Sequence, residues 1–156
     1  MPQQPETADA SSWHRYFAMN CNNRAWALAV QERDPEEEAE MLNAAHASAY
    51  HWNLVGDEIH RMRAVMLLAE VHALAGLGDT ALDHADRMRD FFLELEETPD
   101  WEIAFVHTVH AHAAAVAGDP ELHQSSYEAA ERAIEDIADA EDRRIVLETF
   151  DQVPRP

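Results

Sequence analysis

Residues 101–118 read WEIAFVHTVHAHAAAVAG, and this stretch decides the fold. Its part 103–118 contains no Asp, Glu, Lys or Arg, although the whole chain carries a formal net charge of −20. A segment of this length that is apolar almost all round predicts a central, buried α-helix. Its histidines, His107, His110 and His112, then need hydrogen-bond partners or a metal, because an unpaired buried polar group costs about 1–3 kcal/mol.

The composition indicates one helical domain. Only four glycines occur in 156 residues. The most abundant residues include Ala, Leu, Glu and Arg, which are strong helix formers. The single cysteine, Cys21, excludes an intrachain disulfide, which suits a reducing compartment. The N-terminus has neither the basic region nor the apolar core of a secretory signal, and no apolar run has the length of a membrane span. We therefore expect a cytoplasmic protein that does not cross a membrane.

The charge balance excludes one class of partner. There are 31 acidic residues against 11 basic ones, and all eleven bases are arginine. Such a surface repels phosphate backbones, so we expect no nucleic-acid binding. A lysine-free acidic surface is typical both of life in high salt and of a G+C-rich genome.

Turn and capping signals divide the chain into helices. Asp34-Pro35-Glu36-Glu37 carries a capping box with proline at the first helical position. We expect a disordered leader at 1–11, a single helical-hairpin domain at 12–150 and a frayed tail at 151–156. The predicted helices cover 12–32, 35–55, 58–77, 80–97, the central stretch opened by Thr98-Pro99, 121–138, and a short last segment after Asp139.

A repeat of 40 residues relates two parts of the domain. Gly78-Asp79 and Gly118-Asp119 each follow an apolar segment and precede an amphipathic one. The segments ALAGLGDTALDHADRM and AVAGDPELHQSSYEAAERA resemble tetratricopeptide-like repeats over 58–138, with a period of 40 rather than about 34 residues. The resemblance implies an all-α fold of antiparallel helical hairpins, six or seven helices in one right-handed stack.

Such a stack has a groove lined by its first, third and fifth helices. At the 40-residue offset His72 falls on His112, and with His107 and His110 these are the candidate groove residues. Our leading hypothesis is a non-enzymatic binding or scaffold module that recruits a protein or small-molecule partner there. No catalytic residue is assigned, because the sequence contains no Gly-rich phosphate loop, HExxH motif or nucleophile elbow.

The second hypothesis is a metal-binding protein, with a metalloenzyme as one form of it, that uses a buried cluster of histidines and a glutamate. His46, Glu70, His107 and His110 lie level within about one helical turn, roughly 5.4 Å, if the helices run antiparallel and parallel as the repeat implies. Three imidazoles and a carboxylate suit Zn(II), whereas two histidines and the carboxylate suit Fe(II).

A structural role for the same four residues is the alternative to metal binding. Glu70 can instead pair with one histidine while the others bond to the backbone or to Tyr50, which makes the cluster structural.

The remaining four histidines outside the charge-poor segments are expected to be solvated: His14, His60, His84 and His123. A third hypothesis for the whole protein is a structural subunit that forms a homodimer through an apolar helix face.

Overall fold

The computed structural model describes residues 1–6 and 8–156, and within them it contains seven α-helices and no strand. The all-α prediction is therefore confirmed at the level of fold class. The helices are α1 Ala10–Ala29, α2 Pro35–Val55, α3 Glu58–Leu74, α4 Gly78–Glu94, α5 Asp100–Ala117, α6 Pro120–Asp136 and α7 Ala140–Phe150.

Aspartates begin several of the helices as the sequence predicts. The Asp34 carboxylate accepts hydrogen bonds from the backbone N–H groups of Glu36 and Glu37, and the Glu37 side chain accepts from the Asp34 N–H. This reciprocal arrangement is the capping box expected at the start of α2. Asp57 and Asp119 cap α3 and α6 without a reciprocal bond, since each side chain accepts from one backbone N–H.

The start of α4 differs from the prediction of a helix that follows Gly78-Asp79 and begins at Thr80. The helix begins at Gly78 itself and has no side-chain cap. A Cβ atom on Gly78 would lie 2.5 Å from the carbonyl oxygen of Val116. Glycine is needed here because the first turn of α4 packs directly against the backbone at the end of α5.

The third and fifth helices form the centre of the fold. Helix α3 packs against α1, α2, α4 and α5, and helix α5 packs against α3, α4, α6 and α7. Ten residues of α5 are buried, so the prediction of a central, buried helix at this stretch is confirmed. The largest fully buried apolar side chains around these helices include Leu28, Met41, Leu67, Met88 and Phe92.

The C-terminal part of the chain contacts the rest of the fold. Helix α7 packs on α5 and α6 through Val146, and Val153 beyond it is buried. The His123 Nε2 atom donates to the Pro154 carbonyl at 2.8 Å. The domain limits and the disordered leader stay predictions. None of the described helices combines the length and the apolar character that crossing a bilayer requires.

We expect the melting temperature to rise as NaCl is added. A net charge of −20 on a chain of 156 residues produces repulsion between its acidic side chains. Raising NaCl from about 0.1 to 1 M shortens the screening length from roughly 10 to 3 Å and weakens that repulsion. Thermal unfolding followed by circular dichroism over this range tests the prediction, and a flat or falling melting temperature contradicts it.

Candidate functional site

The histidines of α5 point to two different sides of the helix. His110 is fully buried between α4 and α6. Its Nε2 atom lies 2.8 Å from the Asp86 carboxylate and its Nδ1 atom 2.8 Å from the Ser126 hydroxyl. Since a carboxylate only accepts, Nε2 carries the proton and Nδ1 accepts from Ser126. Burial lowers the pKa of His110, and Asp86 opposes that shift.

His107 lies three residues earlier on the same side of α5 and is half-buried. Burial lowers the pKa of His107 to about 4, and the positive charges of Arg89 and Arg132 act in the same direction. His107 is therefore a neutral imidazole at pH 7. Together with His110 it provides two uncharged rings facing α4 and α6.

His112 points to the opposite side and pairs with Glu70 of α3. Its Nδ1 atom lies 3.0 Å from Glu70 Oε1, with Glu70 0% and His112 5% exposed. Burial disfavours the charged imidazole, but the Glu70 carboxylate outweighs burial and raises the pKa of His112. The second carboxylate oxygen, Oε2, has no hydrogen-bond partner among the described residues. The two side chains form a buried ion pair that joins the two central helices.

Three further histidines meet where α2, α3 and α4 come together. The ring of His72 lies 5.2 Å from that of His46 and 5.5 Å from that of His84, measured between centroids. The Nδ1 atom of His72 donates to the Leu68 carbonyl at 2.7 Å. Burial, with the neighbouring imidazoles, lowers the pKa of both His46 and His84. His84 is thus part of a ring cluster rather than the isolated solvated side chain that its sequence context suggests.

The four residues predicted to bind metal have different partners in the structure. Only His107 and His110 remain neighbours, while Glu70 pairs with His112 and His46 contacts His72. In the part of the chain that is described, no group of three or more His, Cys, Asp or Glu side chains is placed to hold a metal ion. Sequence spacing places these residues at similar positions along their helix axes. Which side chains come into contact, however, depends on the rotation of each helix about its own axis.

A cavity of about 400 Å³ opens between α1, α3, α5 and α7. It lies where a groove is predicted, between the first, third and fifth helices, and α7 forms its remaining wall. The candidate groove residues His72, His107, His110 and His112 are not among the side chains described as lining it. The walls are formed by Asn22, Trp26, Ala27, Val30, Arg63, Met66, Trp101, Glu102, Phe105, Ile145, Glu148 and Thr149.

One ion pair fixes the polar end of this cavity. The Arg63 guanidinium donates from Nε to Glu102 Oε1 at 2.6 Å and from Nη2 to Oε2 at 2.9 Å. The Glu102 side chain is 3% exposed and that of Arg63 is 44% exposed. Both oxygens of the buried carboxylate are therefore occupied by one two-pronged contact, which also joins α3 to α5. The Arg63 guanidinium carbon lies 5.5 Å from the centroid of the Trp101 ring.

Aromatic rings form the apolar part of the walls. Phe105 of α5 lies 5.6 Å from Trp26 of α1 and 6.3 Å from Trp101, measured between ring centroids. Val30 and Ile145 stand at the mouth, each 41% exposed. A concave, mostly apolar space with a few fixed polar groups is the usual form of a small-molecule site.

Two other depressions are larger, about 550 and 610 Å³. The first is walled in part by Pro2, Gln3, Pro5 and Glu6, and the second by Met1. These residues precede α1 and belong to no helix. The cavity between α1, α3, α5 and α7 is the better candidate because its lining residues all lie in helices, apart from Val30, which caps the end of α1.

The sequence contained signals for these walls. Trp26 and Val30 are four residues apart, as are Trp101 and Phe105, so each pair shares a helix face. Arg63 and Glu102 lie 39 residues apart, close to the 40-residue offset that relates α3 to α5. This opposite-charge pair was not among the site residues predicted from the sequence.

No protein-family model, no curated protein and no solved structure matches this chain.

Proposed function

We propose that this protein is a non-enzymatic binding module that holds a small ligand in the cavity between α1, α3, α5 and α7. The observation that carries the proposal is the cavity itself, with its aromatic walls and, at one end, an ion pair whose carboxylate is buried. Its volume of about 400 Å³ falls within the range of roughly 300–1,000 Å³ typical of ligand sites.

The proposed architecture is a right-handed stack of tetratricopeptide-like antiparallel hairpins. Support comes from the contacts of each helix with the next and from the additional contacts of α3 with α1 and α5. Linkers as short as Gly56-Asp57 and Gly118-Asp119 favour antiparallel neighbours. In this arrangement α1, α3 and α5 form the row that faces the ligand.

The side chains of the cavity favour binding over catalysis. Among its described lining residues there is no histidine and no cysteine. Both oxygens of Glu102 are held by Arg63, and Glu148 is paired with Arg144. A general base needs a free, correctly placed acceptor, and a nucleophile needs a base within hydrogen-bond reach. The walls instead offer apolar area and ring faces, which provide affinity.

An apolar fluorescent probe tests whether the cavity binds a ligand. We expect N-phenyl-1-naphthylamine, an uncharged probe that brightens in apolar surroundings, to bind saturably at one site per chain. Ala27 is exposed at the cavity mouth, so Ala27→Phe fills the space without disturbing the core. This variant should weaken probe binding about tenfold or more, the loss of roughly 1.4 kcal/mol of contact.

The matched control is Ala39→Phe, since Ala39 is an exposed alanine on α2 away from the cavity. It should leave the dissociation constant unchanged. Absence of saturable binding, or equal binding by Ala27→Phe and the wild-type protein, would contradict the proposal. Circular dichroism melts of both variants verify that each one folds.

A further inference from the structure

The charged groups at the cavity do not cancel. Arg63 and Glu102 neutralise one another, which leaves the lining carboxylate of Glu148. Glu148 shares Arg144 with Glu141, so these three side chains on α7 carry a net formal charge of −1. Glu148 is 47% exposed at its side chain and can therefore reach an incoming group. The cavity thus presents excess negative charge on its α7 wall.

The aromatic walls favour the same sign of ligand charge. Ring faces carry negative electrostatic potential and attract cations at distances within about 6 Å of the centroid. The Arg63 guanidinium already lies over Trp101 at 5.5 Å, so one cation is held against this wall. Trp26 and Phe105, whose ring planes meet at 57°, offer further aromatic surface to the apolar body of a ligand.

The charge of the whole molecule acts in the same direction. At a net charge of −20, the surrounding field attracts a cation and repels an anion before either reaches the cavity. This long-range effect weakens with salt, whereas a contact with Glu148 inside the mouth is screened less.

We infer that the ligand of this cavity is a small organic monocation, an ammonium or guanidinium group carried on an apolar body. This inference rests on the proposed function and specifies its ligand class. The apolar body packs against Met66, Phe105 and Trp26 inside the cavity. The cationic group meets Glu148 at the α7 wall, where a carboxylate accepts its N–H hydrogen bonds.

Three naphthalene probes of nearly equal size test the ligand charge: 2-naphthylmethylammonium, the uncharged 2-naphthalenemethanol and 2-naphthoate. Isothermal titration calorimetry at about 0.02 M and about 0.5 M NaCl separates long-range attraction from local contact. We expect the ammonium probe to bind about tenfold more tightly than the alcohol at low salt and to keep part of that preference at high salt. The carboxylate probe should bind most weakly.

Glu148→Gln should reduce the preference for the ammonium over the alcohol several-fold, because it removes the negative charge from the α7 wall. Glu131→Gln is the matched control, because Glu131 is exposed on α6 and does not line the cavity. It changes the net charge equally and should preserve the local preference. Equal binding of the ammonium and the alcohol, or an unchanged preference in Glu148→Gln, overturns the inference.

The two proposals fail in distinguishable ways. If N-phenyl-1-naphthylamine binds in the cavity but the three naphthalene probes show no charge preference, the cavity remains a binding site and only the cationic class is wrong. If no uncharged probe binds and Ala27→Phe has no effect, the proposed function itself is wrong.

Discussion

Replacing Glu70 with alanine is expected to lower the free energy of unfolding by about 3–5 kcal/mol. Glu70 is fully buried and is the partner of the protonated His112 imidazole at 3.0 Å. Its removal leaves that ring without its acceptor between two central helices and leaves a cavity in their interface. Urea unfolding at pH 6, followed by circular dichroism, measures the loss.

The variant should also change how stability depends on pH. The pKa of His112 is raised by its pairing with Glu70, so the pair contributes fully below about pH 6.5 and loses its contribution as pH rises through the raised value. The difference between Glu70→Ala and the wild-type protein should therefore be larger at pH 6 than at pH 9. Glu70→Gln keeps an acceptor oxygen for Nδ1 and should cost less, with little of this pH dependence.

Glu131→Ala is the control for the loss of a glutamate, because Glu131 is exposed on α6. Such a surface change should alter stability by no more than about 0.5 kcal/mol. If Glu70→Ala is as mild as this control, the buried pair does not stabilise the contact between α3 and α5. A double-mutant cycle with His112→Ala separates the interaction energy of the pair from the cost of the cavity that each truncation leaves.

Local chemistry made the helices predictable. The capping box at Asp34 and the Gly118-Asp119-Pro120 turn depend on residues close in sequence, and the structure places helix ends at both. Gly78 is the instructive exception. Glycine is required there by the close approach of the α5 backbone, which lies almost 40 residues away in sequence and leaves no local signal.

The partners of buried polar groups were less predictable. Placing His107 and His110 on one face of α5 follows from their spacing, but which neighbouring helix that face meets depends on packing. The face turned out to meet Asp86 and Ser126 on α4 and α6. Glu70 consequently met His112 instead, a pairing that belongs to the structural alternative rather than to the metal hypothesis. Rotation about each helix axis, which sequence spacing leaves free, determined these partners.

Histidines also make the fold sensitive to acid, and we expect its free energy of unfolding to fall as pH is lowered from about 6.5 toward 5. Burial lowers the pKa of His107 to about 4, and the same cause lowers those of His46, His51, His84 and His110. Unfolded chains protonate these rings near pH 6.5, whereas the folded protein resists protonation until its lower values are reached. Their stabilising contribution is thus present above pH 6.5 and lost below it.

His107→Gln isolates the largest single part of this effect. A glutamine at this position takes up no proton, so the variant should lose less stability than the wild-type protein between pH 6.5 and 5. The slope for one histidine is at most about 1.4 kcal/mol per pH unit, and solvent around the half-buried ring reduces it, so we expect a difference of roughly 1 kcal/mol. Urea unfolding at constant ionic strength measures this difference between the two proteins. The interval from pH 6.5 to 5 lies above the pH range in which most carboxylates titrate.

His60→Gln provides the comparison that ties the effect to α5. His60 lies on the surface beside Asp57, 2.7 Å from its carboxylate, and stacks on Trp52 rather than entering the core. Its replacement removes one histidine but leaves the half-buried His107 ring on α5 in place, so the acid-induced loss should persist. A wild-type protein whose stability is constant from pH 6.5 to 5, or a His107→Gln variant as acid-sensitive as His60→Gln, would show that protonation of His107 does not oppose folding. Helix α5 would then accommodate a charge despite Arg89 and Arg132 nearby, which requires that its surroundings rearrange on protonation.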